Sequence, residues 1–345
     1  MTTLSPAVLE PVRVGLVGAG RIGASHAQLL RTRVPGARLV AVGDAAPAAA
    51  QRLADGLAVR AVDSPTALFA DPEVEAVVIT AASVAHADLI GAAADAGKAV
   101  FCEKPAGMTL AEVDRGIEAC RAAGVPLQVG FNRRFVPEWA EAHRLVADGA
   151  LGTPQLMRSV TRDPGLANPA GVPPGTIFTQ TLIHDFDTLL WLNPGARVTS
   201  VHATADALVA PDFKDAGLLD TAVVVLRFDN GAIAVAEASF SAAYGYDVRG
   251  EVFGSRGRVT LGDGATSSLR HADAAGRHAA TARGDVELLG GSYVGELAAF
   301  VEAVRAGSPP VVGGHDARRA LEVALACIES AATGAVVELG KDGEP

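Results

Sequence analysis

Hydrophobic positions divide the chain into two parts with different patterns. Up to residue 131, short apolar runs such as Val12–Val17, 75–80 and 99–102 alternate with amphipathic stretches. Short apolar runs between helical patterns are typical of a parallel sheet that helices cover on both faces. The sequence therefore predicts an α/β domain with a doubly wound parallel sheet over residues 1–131.

After about residue 150 the pattern changes to strands linked by turns. Six strands are predicted, at 154–163, 197–205, 219–228, 231–241, 247–253 and 256–261. Turn-forming residues at 229–231 and 254–257 are typical of hairpins. Three helical patterns interrupt the strands, at 177–192, 292–306 and 315–333. We predict an α+β second domain with a mixed or antiparallel sheet over residues 132–345.

Composition narrows the classes of function. The formal net charge of −10 disfavours a nucleic-acid partner. No apolar run approaches 18 residues, so we expect no membrane partner. Three scattered cysteines, Cys102, Cys120 and Cys327, lack the spacing of a disulfide framework or a structural zinc site. Without a secretory signal pattern, the expected location is the cytoplasm.

A glycine-rich turn follows the first predicted strand and opens a helix. It has the G-x-G-x-x-G pattern, formed by Gly18, Ala19, Gly20, Arg21, Ile22 and Gly23. In this setting the glycines permit a tight turn, close approach of a pyrophosphate and close helix–strand packing. Asp44 follows the second strand, where a carboxylate binds a ribose 2′-OH and repels a 2′-phosphate. The pattern predicts an NAD site, the alternative being a structural turn beside a solvated Asp44.

A second group of candidates follows other buried strands of the first domain. Ligands of open parallel sheets bind outside the carboxyl ends of the strands, where Glu103, Lys104 and Pro105 lie. Lysine is rare in this chain, and partial burial would let Lys104 exchange protons near neutral pH. An ordinary loop lysine beside Glu103 is the alternative. Thr80 and His86 are further candidates for the cofactor site, and helix capping is the alternative for His86.

The predicted helix over 177–192 has a polar face. Gln180, His184 and Asp187 recur at four and three residues, so they share this face and could line a cleft. A solvated or capped polar face is the alternative. A metal site on His184, Asp185 and Asp187 is a third interpretation, which we disfavour because Asp185 points away from the other two. We therefore expect no metal.

Two pairs of residues are candidate substrate contacts. Tyr244 and Tyr246 are two residues apart, so in a strand both would point the same way and suit a polyol. Ordinary sheet packing is the alternative. Arg162 and Asp163 end a predicted strand before the loop 164–175, where they could contact hydroxyl groups. A surface ion pair is the alternative for these two.

Taken together, the motifs resemble those of the Gfo/Idh/MocA oxidoreductases, in particular the inositol 2-dehydrogenase-like enzymes. The resemblance covers almost the whole chain and rests on six segments: 18–23, Asp44, 103–105, 130–135, 183–187 and 244–247. It implies an NAD-binding Rossmann domain followed by an open-faced mixed sheet that mediates dimer or tetramer assembly. It also implies hydride transfer between NAD(P) and a carbon of a cyclic polyol or sugar.

The resemblance also implies roles for single residues. Lys104 resembles the family lysine that contacts the reacting hydroxyl, and His184 resembles the histidine that accepts its proton. Tyr244 and Tyr246 match positions that can meet the substrate. The family aspartate four residues before this histidine is Gln180 here, and an amide carries no charge to stabilise an imidazolium. This difference affects the choice of substrate and, to a lesser degree, the proton path.

The predicted activity is NAD-dependent oxidation of a secondary alcohol on an inositol-like or sugar-like ring. Lys104, His184 and Gln180 are the predicted catalytic residues. One alternative is a different sugar-modifying enzyme of the family, either an aminosugar or keto-sugar dehydrogenase or an NAD-dependent glycosidase. A less favoured alternative is a dinucleotide sensor without catalysis, since a sensor need not keep both Lys104 and His184.

Overall fold

The computed structural model describes residues 10–262, 265 and 269–340. The chain forms two compact units. The first contains the chain up to Phe131 together with Tyr293–Arg318, and the second contains Asn132–Ser292 and the chain from Arg319 onward. In the part of the chain that is described, no helix has the length and apolar character needed to cross a membrane.

The first unit is built on a six-stranded parallel sheet. Its strands are β1 (Val12–Val17), β2 (Ala37–Gly43), β3 (Arg60–Val62), β4 (Ala76–Ile79), β5 (Ala99–Cys102) and β6 (Leu127–Val129). The helices between them are α1 (Arg21–Thr32), α2 (Pro47–Leu57), α3 (Pro65–Phe69), α4 (His86–Asp95) and α5 (Leu110–Ala123), and a 3₁₀ turn (Ser83–Ala85) precedes α4.

The strand order β3-β2-β1-β4-β5-β6 reverses between β1 and β4, as in a doubly wound sheet. All five pairings are parallel, which confirms the predicted fold class of the first domain. Strand β3 and helix α3 are not among the predicted elements. They contain only 3 and 5 residues, too few to show a hydrophobic period.

The segment Tyr293–Arg318 corrects the predicted domain division, which placed everything after residue 131 in the second domain. In the structure this segment belongs to the first unit. The reason is its apolar face, since Leu297, Phe300 and Val301 are part of the core formed with the parallel sheet. An isolated antiparallel bridge between Gln128 and Gly313 fixes it further.

The second unit contains a seven-stranded mixed sheet. Elements that follow β6 are a 3₁₀ turn (Asn132–Phe135), α6 (Pro137–Ala147), β7 (Pro154–Arg162), a π-helical segment (Ile177–Leu182), α7 (Ile183–Trp191), β8 (Val198–Asp206), β9 (Thr221–Phe228), β10 (Ile233–Ser239), β11 (Asp247–Gly254), β12 (Gly257–Leu261), β13 (His271–Asp273), β14 (Gly276–His278), α8 (Asp285–Ala306), α9 (Gly314–Thr333) and β15 (Val337–Glu338). Short 3₁₀ turns also occur at Pro169–Gly171 and Pro211–Ala216.

The strand order is β12-β11-β7-β10-β9-β8-β15, and β13 pairs only with β14. Among the described strands of this sheet, β7 and β10 pair in parallel, whereas the other neighbours are antiparallel. This confirms the predicted α+β class with a mixed sheet. Both predicted hairpins, β9–β10 and β11–β12, are present, and Gly231 adopts a φ of 86° in the first. Helix α6 was not predicted.

Candidate active site

The glycine turn of the first unit joins β1 to α1 and requires glycine at two positions. Gly18 has a φ of 101°, and a Cβ atom there would lie 2.5 Å from the main-chain nitrogen of Ala81. A Cβ atom at Gly23 would overlap the carbonyl oxygen of Gly18. By contrast, a Cβ atom at Gly20 would meet nothing within 4 Å. The turn is therefore closed on the protein side and open at Gly20, as a backbone cradle for phosphate requires.

Thr80 supports this turn. Its hydroxyl lies 2.8 Å from the carbonyl oxygen of Gly18 and 3.0 Å from that of Val17, and the side chain is buried. Since a hydroxyl has one proton to donate, these carbonyls occupy it. Thr80 thus holds the turn through its hydroxyl group, and its predicted contact with the cofactor stays a prediction.

Asp44 lies beside the turn at the end of β2. One carboxylate oxygen accepts a hydrogen bond from the main-chain nitrogen of Ala19 at 2.6 Å, and the other accepts from Ala46 at 2.7 Å. A carboxylate has about four acceptor positions, so capacity remains for a ribose hydroxyl. Arg21 and Ile22 begin α1, whose N-terminus lies at the turn, a position that favours an anion.

His86 is buried in the first unit and is fully engaged there. Its Nδ1 lies 2.7 Å from the carbonyl oxygen of Pro105, and its Nε2 lies 2.9 Å from that of Ala81. No ring nitrogen remains for a cofactor. His86 therefore ties the segment after β4 to the segment after β5, and its predicted packing at the cofactor edge stays a prediction.

Glu103 also faces inward. Its Oε1 lies 2.8 Å from His26 Nε2, and its Oε2 accepts the main-chain N–H of Lys104 at 3.3 Å. Burial alone would raise the pKa of Glu103, but the hydrogen bond from His26 and the positive charges of His26, Lys104 and His86 lower it overall. The Glu103 carboxylate thus fixes the main chain of Lys104, and its predicted contact with the cofactor stays a prediction. His26 was not among the residues predicted from the sequence.

In the second unit, Gln180 and His184 flank a change of helix type. Gln180 lies in the π-helical segment, His184 lies in the first turn of α7, and both are partly exposed. Wide π turns are rare and are frequent at functional sites. The structure therefore places both predicted catalytic residues of this unit at the accessible start of α7.

The two aspartates beside His184 are not available as metal ligands. Asp185 accepts hydrogen bonds from Arg133 Nη1 at 2.7 Å and from two hydroxyl groups, those of Ser159 and Thr161. Asp187 is buried and accepts two hydrogen bonds from Arg134. Asp187 therefore does not contribute to the predicted polar face. The alternative of a metal site on His184, Asp185 and Asp187 is disfavoured, because arginines neutralise both carboxylates.

Arg133 and Arg134 are neighbours of the α7 aspartates that were not predicted as site residues. Both are buried and lie in the 3₁₀ turn shortly after β6, in the segment 130–135. The sequence does contain two adjacent arginines in that segment and two aspartates, Asp185 and Asp187, two residues apart in the predicted helix. Without the fold, their pairing across about fifty residues could not be assigned.

The tyrosines lie in a turn that precedes β11, not in a strand. Gly245 between them has a φ of 131°, which ends strand geometry and removes the predicted common orientation. Tyr244 is 52% exposed, and its hydroxyl donates to Asp247 Oδ2 at 2.6 Å. Tyr246 is more enclosed, and burial together with the charge of Asp163 raises its pKa.

Arg162 ends β7 and is fixed by two neighbours. It donates to Glu237 Oε2 at 3.1 Å and to the hydroxyl of Tyr244 at 3.3 Å. The structure thus brings Arg162, Tyr244 and Asp247 together at one end of the mixed sheet. Asp163 follows at the same end, where its main chain bonds to Ser239 and Ala242.

Comparison with known proteins agrees with this arrangement. Residues 12–131 match the model of an oxidoreductase family with an NAD-binding Rossmann fold, and residues 139–260 match the GFO/IDH/MocA C-terminal domain. The chain belongs to the Gfo/Idh/MocA oxidoreductase family. Its first unit is accordingly an NAD-binding Rossmann domain, which confirms the resemblance and the cofactor predicted from the motifs.

Similar members of this family are inositol dehydrogenases. Myo-inositol 2-dehydrogenase of Thermotoga maritima is 38% identical over 92% of this chain and 96% of that protein. The scyllo-inositol 2-dehydrogenase (NAD(+)) of Bacillus subtilis is 37% identical over 95% and 96%. The crystal structure of Lactobacillus casei scyllo-inositol dehydrogenase with bound NAD(H) and scyllo-inositol superposes with a TM-score of 0.90, at 26% identity over 95% of this chain and 99% of that chain.

Proposed function

We propose that this protein is an NAD-dependent dehydrogenase that oxidises a secondary alcohol of an inositol-like ring to a ketone. The observation that supports the proposal most is the similarity to several inositol 2-dehydrogenases over more than nine-tenths of the chain. Lys104 and His184, the lysine and histidine that the family resemblance implicates in catalysis, are both present.

The residues of the first unit fit NAD. The open position at Gly20 and the N-terminus of α1 would hold the pyrophosphate, and Asp44 would bind the adenosine ribose. NAD⁺, when bound, supplies the hydride acceptor. Asp44 disfavours NADP, because its carboxylate would face a 2′-phosphate of the same charge.

The chain's own contribution to the reaction is proton handling and orientation. Lys104 donates a hydrogen bond to the reacting hydroxyl and stabilises the negative charge that develops on its oxygen. His184 accepts the hydroxyl proton as general base. Gln180 donates or accepts a hydrogen bond to a ring hydroxyl and orients the substrate without adding charge.

Further substrate contacts are proposed at the end of the mixed sheet. Arg162, Asp163 and Tyr246 offer donors and acceptors for ring hydroxyls, whereas the Tyr244 hydroxyl already donates to Asp247. We assign Tyr244 a stacking or rim position, since its ring is half-exposed.

We also propose that the protein is a homodimer or homotetramer assembled through the mixed sheet. Leu156, Val225, Ile233 and Phe253 are exposed, and the strand register places all four on one face. Exposed apolar patches on a sheet mark interaction surfaces. Ile233→Asp should shift the assembly toward monomer in size-exclusion chromatography with light scattering. Its three cysteines are buried free thiols, in keeping with a reducing compartment such as the cytoplasm.

The activity is tested by following NADH absorbance with NAD⁺ and a panel of inositol isomers and hexoses. We expect turnover with at least one inositol and a strong preference for NAD⁺ over NADP⁺. With the best substrate, Lys104→Met should lower kcat by about 10² to 10⁴-fold, while the affinity for NADH stays within about threefold. Turnover that survives this substitution would contradict the assigned role of Lys104. Lys214→Met, on the exposed surface of the second unit, is the matched control.

A further inference from the structure

A buried cluster of three ionisable side chains lies under the Lys104 main chain, within the first unit. His26 comes from α1, Glu103 from the position after β5, and Glu296 from α8. His26 Nε2 lies 2.8 Å from Glu103 Oε1 and 3.8 Å from Glu296 Oε1. Both His26 and Glu296 are completely inaccessible to solvent.

Glu296 is the unusual member of this cluster. Neither of its carboxylate oxygens has a hydrogen-bond partner among the described residues, although both are buried. The neighbouring His26 ring is itself enclosed by aromatic rings, those of Phe101 and Tyr293. An ionised carboxylate without hydrogen bonds is too costly to keep in such a place, and proteins avoid the cost by neutralising the group.

The neighbouring charges decide which carboxyl group is neutral. Glu103 has hydrogen bonds from His26 and from the Lys104 main chain, and its pKa is lowered despite burial. Burial, with the added repulsion of the Glu103 charge, raises the pKa of Glu296 well above its ordinary value. When one of two adjacent carboxyl groups accepts hydrogen bonds and the other accepts none, the first is the one that ionises and the second keeps its proton.

A metal ion is the alternative occupant, because one ligand atom from each residue lies within 4.8 Å of the others. The distances favour a proton. A first-row metal bound at about 2.1 Å by a histidine and a carboxylate separates the two ligand atoms by about 3.4 Å. The 2.8 Å contact between His26 and Glu103 is a hydrogen bond, with a proton between the atoms.

We propose that Glu296 is a proton-carrying, uncharged residue, and that with His26 it forms a buried support that holds the Glu103 carboxylate against the Lys104 main chain. His26, Glu103 and Glu296 are then positioning residues for Lys104. The kinetic part of this inference rests on the proposed dehydrogenase activity, whereas the charge state of Glu296 does not.

The proposal predicts a response to pH with a definite sign. The groups that face Glu296 are His26 from α1 and Glu103 from β5, with Lys104 and His86 near Glu103. As pH rises above the ordinary glutamate pKa of 4.5, the unfolded chain loses this proton while the folded protein keeps it. The folded state is therefore progressively disfavoured until Glu296 itself ionises.

The charge state is tested with Glu296→Gln, which has the same shape and no titratable proton. Glu302→Gln, an exposed position on the same helix, is the control. In denaturant titrations, the unfolding constant of the wild type should rise relative to that of Glu296→Gln by up to about tenfold per pH unit above pH 5. The Glu302→Gln curve should stay parallel to the wild type. Parallel wild-type and Glu296→Gln curves would overturn the proposal.

A spectroscopic measurement on the same proteins is independent of activity. The infrared difference spectrum between wild type and Glu296→Gln at neutral pH should contain the C=O stretch of a protonated carboxylic acid, and Glu302→Gln should retain this band. Absence of the band from the wild type would refute a protonated Glu296. Elemental analysis that found one metal ion per wild-type chain, lost in Glu296→Gln, would also refute it, in favour of a metal site.

The positioning role is tested by kinetics. Glu296→Ala should lower kcat by about 10- to 100-fold with little change in the KM for NAD⁺, because Lys104 is displaced. Glu296→Gln should recover most of this loss. We expect the kcat of the wild type to decline at alkaline pH, where Glu296 ionises, and Glu296→Gln should lack this decline. If Glu296→Gln and wild type decline alike, Glu296 is merely structural. If no polyol is turned over while the infrared band is present, the proposed activity fails and the charge assignment stands.

Discussion

The ion pair between Arg134 and Asp187 supplies a sharp test of the energetics at the start of α7. Arg134 Nε and Nη2 donate to the two carboxylate oxygens, at 2.9 and 2.5 Å. Only 5% of the arginine side chain and 1% of the aspartate side chain are exposed. The guanidinium also lies 5.5 Å from the ring centre of Trp191. Both charges are therefore shielded from water, and each is compensated mainly by the other.

Removing one partner leaves a buried charge uncompensated, which costs about 3–5 kcal/mol. We expect this loss for Asp187→Asn, which keeps the shape and removes the charge. Arg134→Met should cost a similar amount. The double variant should lose at least about 2 kcal/mol less than the sum of the single losses, since the two groups contact each other directly.

The exposed pair Arg144–Glu141 is a matched control. It has the same two-bond geometry, at 2.8 and 2.6 Å, but 57% and 54% of the side chains are exposed. Glu141→Gln should cost far less than Asp187→Asn, because water screens the exposed pair. Denaturant unfolding followed by tryptophan fluorescence isolates the second unit, because both tryptophans, Trp139 and Trp191, lie in it. Equal losses in Asp187→Asn and Glu141→Gln would refute the reasoning from burial.

Two further predictions concern the first unit. Asp44→Asn should raise the KM for NAD⁺ by about 10- to 100-fold and narrow the preference over NADP⁺, since a charged acceptor contributes about 1.5–3 kcal/mol per hydrogen bond; an unchanged cofactor preference in steady-state kinetics would contradict this. Burial raises the pKa of Cys120 to about 11 and also raises those of Cys102 and Cys327. A thiol reagent at pH 8 should therefore label none of the three in the native protein and all three in guanidinium, and rapid native labelling would show that they are accessible.

Local chemistry explains why the sequence predicts the cofactor turn well. Gly23 meets the carbonyl oxygen of Gly18 within one strand–turn–helix unit, Gly18 has a positive φ in the same turn, and Asp44 follows on the next strand. A motif of this kind is visible in one stretch of sequence because its parts are close in the chain. The same holds for the strands of the first sheet, whose apolar runs are continuous since both faces are buried.

Supporting contacts were not predictable in this way. Glu296 meets His26 across 270 positions of sequence, and Arg133 meets Asp185 across 52. Each partner taken alone is an ordinary polar residue of a helix or loop. Only the fold shows that His86 and Glu103 bond to main-chain groups and that the two arginines bond to buried side chains.

Tyr244 and Tyr246 lack the predicted common orientation for a different reason. Side chains two positions apart point the same way only if the backbone between them is extended. Gly245, at a φ of 131°, leaves the strand region, and a Cβ atom there would lie 2.6 Å from Thr281 Oγ1. The glycine was visible in the sequence, and a glycine within a predicted strand is itself a signal of a turn or close approach.

Gln180 offers a way to test how His184 is prepared for its proton. Asp185 and Asp187, the carboxylates nearest to His184 in the chain, are bound to Arg133 and Arg134, so neither supplies an unbalanced negative charge. Gln180 supplies none either. Gln180→Asp should therefore favour the imidazolium and move the acid limb of the kcat/KM profile upward by about one pH unit. Gln180→Asn, which shortens the side chain without charge, should leave that limb in place. A limb that does not move in Gln180→Asp would mean that another group sets it.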